Sequence, residues 1–225
     1  PPELPGIPID SQQYSFSRRT KEREKDVNIF CVGQNYAEHA KELGNEVPKE
    51  PVFFQKASSC LSSDTVIRLP EGKVIHHEVE IVMIFGRSGS NISSQSAMNH
   101  ISHWCLGLDL TDRPRQNKMR EKGLPWFDSK TFPGAAVITD GEPFNQKEIE
   151  KDFWLKKNGE EVQRGNVDDM VFDIVTLICG LSEIVTFDQG DFFFTGTPSG
   201  VGPLKVSDEL ELGSGDNVKG RFSVT

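Results

Sequence analysis

Three acidic side chains give the first sign of chemistry. In His76-His77-Glu78-Val79-Glu80, a strand would set Glu78 and Glu80 on one face, with α-carbons about 6.5–7 Å apart. Carboxylates that close repel unless a cation lies between them. Oxygen-only donors suit a hard ion such as Mg²⁺, Mn²⁺ or Ca²⁺ rather than zinc. A solvated outer strand face accounts for the same pattern. Asp109 follows Leu106, Gly107 and Leu108 and points away from the apolar face made by Leu106, Leu108 and Leu110. A buried acid is costly unless paired or metal-bound. Asp109 is therefore either a third oxygen ligand or a cap for the turn at Thr111-Asp112-Arg113.

Further groups could act beside such an ion. His39 and Glu42 are three apart on a short helical stretch and share a side. A carboxylate that orients an imidazole and stabilises its protonated form makes a general base for water. An exposed polar pair would look the same. Arg113, Gln116 and Lys130 lie near Leu124-Pro125-Trp126-Phe127 and Thr131-Phe132-Pro133. A lysine there could hold an enolate or a carboxylate, or lie on the surface. The run TGTPSGVG, Thr195 to Gly202, lacks the Gly-Lys-Ser/Thr ending of a phosphate loop. Its amides and Thr197 could still bind a small carboxylate, or form a plain turn.

The elements that must position these residues are mostly strands. Val27–Val32, Val52–Lys56, Val74–Phe85, Cys105–Leu110 and Asp191–Thr195 read as strands. Trp154–Arg164 reads as a hairpin with Asn158-Gly159 as a type I′ turn. The last twenty residues read as another hairpin. Helices are expected over Asn35–Leu43, with Tyr36, Ala40 and Leu43 as its stripe and Gly44-Asn45 as its stop. Two more are expected over Ser93–Trp104 and Val167–Ile184, the latter with Asp168 and Asp169 near its N-terminus. Strands outnumber helices and do not alternate with them, so the fold class is α+β.

The 225 residues, 25.1 kDa, suit one catalytic domain over 26–225 behind a Pro-rich, charged N-terminal arm over 1–25. Mean hydropathy of −0.44 and the absence of a long apolar run exclude a helical membrane protein. A net charge of −9 without a basic stripe argues against nucleic acid and anionic lipid as partners. Cys31, Cys60, Cys105 and Cys179 are dispersed and read as reduced, mostly buried thiols. The opening PPELPGIPID has no apolar signal core. A cytoplasmic location is expected, or a mitochondrial one if a transit peptide has been removed.

Taken in order, the stretches GQNYAEHAKEL, EPVFFQK, HHEVEI, GLDLTDRPRQ, KGLPWFDSKTF, DDMVFDIVTLI and GDFFFTGTPSGVGP resemble the fumarylacetoacetate hydrolase superfamily. They are most similar to its short branch of acylpyruvate hydrolases and oxaloacetate decarboxylases. The resemblance runs from about Asn28 nearly to the C-terminus. It implies a mixed β-sandwich roll with a few short helices, commonly a homodimer, that takes a small oxo acid. It further implies Mg²⁺ or Mn²⁺ on Glu78, Glu80 and Asp109, and a catalytic dyad of His39 and Glu42 on a lid helix. Lys130 would stand near the substrate, with Arg113 and Gln116 on the polar loop after Asp109, and Thr197 in the glycine turn, as substrate contacts. Departures at Gln34, Ala57, Pro114 and Pro133 border the implied pocket and bear on which substrate it accepts. Hydrolysis of the C–C bond of 2,4-dioxo acids is the first expectation, because the dyad is complete. Oxaloacetate decarboxylation and isomerisation of an unsaturated dioic oxoacid are the alternatives at the same site. A non-catalytic relative that holds an ion only for structure is a further one.

Overall fold

A computed structural model describes residues 27–42, 44 and 46–225. The arm expected over 1–25, and the expected parts of Leu43 and Asn45 in the first helix, lie outside the described residues. The architecture is α+β: a curled mixed sheet faces a smaller one, with short helices around them. The larger sheet runs Val52–Lys56, Ile29–Gly33, Phe192–Phe194, Val79–Phe85, Ile101–Asp109, Ala136–Ile138, Leu61–Ser62, and Glu142–Pro143 adds to Ile101–Asp109. Ile29–Gly33 pairs in parallel with Phe192–Phe194, while Val79–Phe85 is antiparallel to both of its neighbours.

The second sheet runs Glu160–Gly165, Phe153–Lys157, Glu209–Ser214, Asn217–Val224, Val66–Ile67. Its Phe153–Lys157 strand lies against Val79–Phe85 and its Asn217–Val224 strand against Ile101–Asp109. The core is a continuous cluster of buried apolar side chains. Phe85 stacks on Phe187 with ring centroids 3.8 Å apart, and every side chain of Val79–Phe85 is buried. A strand covered on both faces cannot alternate apolar with polar residues. Glu80 within it therefore has to be paired or bound.

Several local expectations hold. Asn158 and Gly159 both have positive φ, 55° and 83°, as a type I′ turn requires. The C-terminal hairpin forms from Glu209–Ser214 and Asn217–Val224. All four cysteines are free, three of them buried.

Four expectations need correction. Ser93–Trp104 is not a helix: a 3₁₀ turn over Ala97–His100 leads into the Ile101–Asp109 strand. Its apolar spacing arises because Ile101 and Trp104 pair with Phe85 and Met83. The expected Val167–Ile184 helix is a 3₁₀ turn, Val167–Asp169, followed by a helix over Ile174–Ile184. Asp173 caps that helix by accepting from Thr176 N at 2.7 Å. The strand expected over Val74–Phe85 breaks at Glu78 into Val79–Phe85, in the larger sheet, and Ile75–His77, which pairs with Gly202–Pro203 and Thr111–Asp112 in a small third sheet. Arg113 and Gln116 lie on a helix, Arg113–Glu121, rather than on a loop.

Asn35 explains the interruption before Ile174. Its side chain accepts from Phe172 N at 2.9 Å and donates to Phe172 O at 3.1 Å and Thr195 O at 2.9 Å, while Val171 N donates to Asn35 O at 2.8 Å. Those bonds hold Val171 and Phe172 out of the helix and tie them to the glycine-rich turn. Asn35→Ala would leave these buried backbone groups without partners, a cost of about 2–4 kcal/mol. Urea denaturation should show that loss, and an unchanged midpoint would refute it.

Candidate active site

The break at Glu78 places the first carboxylate. Glu78 sits where one chain crosses between two sheets, and Val79 N donates to the Gln163 side chain at 3.2 Å. Two residues on, Glu80 is fully enclosed in the strand. Asp109 ends the neighbouring strand, and its N–H donates to Glu78 O at 2.9 Å. One carboxylate oxygen from each of Glu78, Glu80 and Asp109 lies within 4.8 Å of the others, and all three residues are buried. Neither a solvated Glu-x-Glu face nor a turn-capping Asp109 describes this arrangement.

Cations interleave with the acids. Lys130 Nζ donates to Glu78 Oε2 at 2.8 Å and to Asp109 Oδ2 at 2.7 Å. Arg113 donates to Glu78 Oε1 and to Gln116 Oε1. Lys56, also buried, gives its three protons to Leu110 O, Lys130 O and Ala135 O at 3.1, 2.7 and 2.9 Å. Its ammonium nevertheless lies 2.6 Å from Asp109 Oδ1. That oxygen has charge beside it and accepts no hydrogen bond. Glu80 is held by one backbone donor, Gly196 N, at 2.7 Å from Oε2. Gly196 has φ +101°, and a Cβ there would come within 2.7 Å of Asn35 Cβ, so only glycine lets that amide reach Glu80.

These surroundings move the protonation equilibria. Burial works against the charge on Glu78, but Lys130 and Arg113 hold its carboxyl well below the usual range. Burial, reinforced by the charges of Asp109 and Glu78, pushes Glu80 up. Burial alone would lower Lys130, yet Asp109 and Glu78 keep its ammonium charged.

The dyad lies across the cavity. His39 is buried on the Ala37–Glu42 helix, and its Nδ1 is 3.2 Å from Glu42 Oε2. Glu42 also accepts from Gly200 N at 3.1 and 3.2 Å, which ties the helix to the glycine-rich turn. With Nδ1–H donated to Glu42, Nε2 carries the lone pair. Burial lowers the His39 pKa below its ordinary 6.5 against the opposing pull of Glu78 and Glu42, so the ring is a neutral base at pH 7.

Each residue expected at the site except Glu42 lines one partly open cavity, and Glu42 reaches it through His39. Thr197 is committed on two sides. Its hydroxyl donates to Val79 O at 2.8 Å and accepts from Gln163 Nε2 at 2.9 Å. Only a remaining lone pair can meet a ligand. Gln116 has its carbonyl end on Arg113, so its amide end is the available donor.

Sequence reasoning gave no role to Lys56, Gln163, Phe54 or Trp126. Lys56 left one signal: it shares a strand face with Val52 and Phe54, where a lysine turned inward must find partners. Gln163 left none, because it reaches the site from the other sheet.

The buried donor set fits a divalent ion. The three acids offer hard oxygen donors, and Asp109 Oδ1 has an unfilled acceptor role. Glu80→Gln is the cleanest probe, since it breaks no ion pair to Lys130 or Arg113. Calorimetric titration with Mn²⁺ should show affinity reduced by about tenfold or more. Wild-type affinity in that variant would remove Glu80 from the ligand set.

Comparison with known proteins agrees with this geometry. The profile described as "Fumarylacetoacetate (FAA) hydrolase C-terminal" matches residues 28–223. "Oxaloacetate decarboxylase, mitochondrial" of Dictyostelium discoideum is 42% identical over 190 residues, covering 82% of this chain and 87% of that protein. "Oxaloacetate tautomerase FAHD1, mitochondrial" of Mus musculus is 39% identical over 204 residues, covering 88% and 91%. The crystal structure of fumarylpyruvate hydrolase from Pseudomonas aeruginosa in complex with Mn²⁺ and pyruvate superposes with a TM-score of 0.83 at 30% identity, covering 91% and 92%. With its sheet order, its buried acids and these matches in agreement, the chain belongs to the fumarylacetoacetate hydrolase family.

Proposed function

We propose that the chain is an enzyme acting on oxaloacetate, or a closely related small 2-oxo dicarboxylic acid, through its enol or enolate, by tautomerisation or decarboxylation. The buried charge pattern carries this reading. Glu78, Glu80 and Asp109 stand against Lys56, Arg113 and Lys130, so the ionised cluster is balanced by itself. A bound dication would leave it two charges positive, and a dianion restores the balance. Oxaloacetate is a dianion at neutral pH, whereas a monocarboxylic acylpyruvate such as acetylpyruvate carries one charge in its keto form. The decarboxylase and tautomerase names of the curated relatives support the same substrate.

Mg²⁺ or Mn²⁺ held by Glu78, Glu80 and Asp109 would supply Lewis-acid polarisation of the oxo acid, which makes the C3 protons acidic. The remaining work falls to side chains. Lys130, kept protonated by Asp109 and Glu78, is placed to hold negative charge that develops on the substrate. The amide end of Gln116 is a neutral donor beside it. His39 Nε2 accepts a proton from C3 and returns it to oxygen or carbon in tautomerisation, while Glu42 fixes the ring. Decarboxylation needs no such base, because the C–C electrons move into the enolate as CO₂ leaves.

Hydrolysis of acylpyruvates is the second reading, and the His39–Glu42 pair favours it. A water deprotonated by His39 would attack the distal carbonyl, the C3–C4 bond would break, and its electrons would pass to the pyruvate enolate. The Mn²⁺- and pyruvate-bound fumarylpyruvate hydrolase supports this alternative. The mitochondrial designation of the relatives favours that address over a cytoplasmic one, and a second copy of the chain is the partner we assign.

Purified protein assayed with Mg²⁺ on oxaloacetate and acetylpyruvate separates the readings. Oxaloacetate should be the better substrate by kcat/KM, and a preference for acetylpyruvate would reverse the order. His39→Ala should reduce tautomerisation and hydrolysis by about 10²–10⁴-fold and decarboxylation far less. Equal losses would assign His39 another role. The His39-dependent rate requires the neutral ring, whose pKa lies below 6.5. It should persist from neutral pH to below pH 6.5 and fall as the ring protonates, an acid limb to be read from kcat/KM against pH.

A further inference from the structure

We propose that Trp126 sets the length of 2-oxo acid the cavity accepts. The indole forms the partition between the active-site cavity and an apolar groove outside it, and Gly33 is the residue that lets it stand there. This rests on the reading of the cavity as a 2-oxo acid site and deepens it, because it names what happens to the substrate's far end.

The cavity has two unlike walls. Glu78, Glu80, Asp109, Lys130, Arg113 and Gln116 form a charged one, where an oxo-acid head must bind. Val32, Gly33, Phe54 and Trp126 form an apolar one. Arg120 also lines the cavity, so a second carboxylate has cationic partners there, whereas the chain of a longer monocarboxylic 2-oxo acid anchored by its head has Phe54 and Trp126 as its apolar surface. The same two rings also line a second, outer depression, together with Val52, Phe53, Leu124 and Phe127. Leu124 is 47% exposed and Phe127 59% exposed, so that groove opens to the surface. Phe54 and Trp126 thus have the cavity on one side and the groove on the other.

The partition is firmly built. Trp126 meets Phe54 edge-on, with centroids 5.8 Å apart at 67°. Its carbonyl accepts from Ser129 N at 2.9 Å, Lys130 N at 3.1 Å and Ser129 Oγ at 2.6 Å. The wall and the ammonium that faces the substrate therefore belong to one helical turn. On the other edge, a Cβ at Gly33 would fall 2.9 Å from Trp126 Cζ3 and 3.3 Å from Cη2. Any side chain at position 33 would displace the indole.

Removing the indole should join cavity and groove. The test is binding of straight-chain 2-oxo acids from pyruvate to 2-oxooctanoate, measured by calorimetry in the presence of Mn²⁺. In the wild type, affinity should stop rising after a short chain. In Trp126→Ala it should continue to rise, by up to about fourfold per added methylene that is buried. Trp126→Phe should stay close to the wild-type profile because a ring still fills the partition. Gly33→Ala should alter the profile without deleting the indole, and it carries the test if Trp126→Ala does not fold. If pyruvate binds but Trp126→Ala, or in its place Gly33→Ala, keeps the wild-type chain-length profile, the proposal falls and the 2-oxo acid reading stands. If the wild type binds no 2-oxo acid, both fall.

Discussion

Asp109 held between two buried lysines is the constraint on which the rest of the site depends. Lys56 lies 2.6 Å from one of its oxygens and Lys130 donates to the other at 2.7 Å. In a low-dielectric interior none of these charges could be tolerated alone. Lys56 spends its protons on the carbonyls of Leu110, Lys130 and Ala135. One ammonium therefore joins the residue after an acid ligand, the residue bearing the second ammonium and the entry to the next strand. Its effect is as much geometric as electrostatic, because it fixes backbone segments that are far apart in sequence.

The sheets convert this pairing into a cavity. Val79–Phe85 and Ile101–Asp109 run antiparallel with Glu80 opposite Gly107, which brings two of the acids together. The third comes from the break at Glu78, where the chain leaves one sheet for another. Gln163 spans that crossing by bonding His77, Val79 and Thr197. The glycine-rich turn then contributes an amide to Glu80 and another to Glu42. It thus serves the acid centre and the dyad at once through backbone donors rather than a phosphate-cradling geometry.

Much of this was legible in residue types and spacing. The acids, the dyad and Lys130 were candidates by residue type and spacing, each with a structural alternative, and the resemblance of the surrounding motifs to the family joined them into one site. The hairpin turn was legible because Asn158-Gly159 suits positive φ. What escaped depends on tertiary pairing. Ile101 and Trp104 follow helical spacing, yet their strand partners decide the structure. The Arg113–Glu121 helix buries only Met119 among its apolar side chains, so periodicity could not reveal it, although Asp112 before Arg113-Pro114 is a usable start signal. Lys56 looked like an ordinary strand terminus until its carbonyl partners were visible.

Glu78 at a crossing between two sheets has a consequence for how the protein matures. The three acids, Arg113, Gln116 and Lys130 lie within residues 78–130, but His39, Lys56, Gln163 and Thr197 come from distant parts of the chain, so the complete centre needs those segments to dock. Non-local contacts of this kind form late and together. An ion that binds the folded centre better than the unfolded chain adds its binding energy to the folded state. A chain whose smaller sheet has not docked lacks Gln163 at the crossing, and with it the bonds that tie His77, Val79 and Thr197 together.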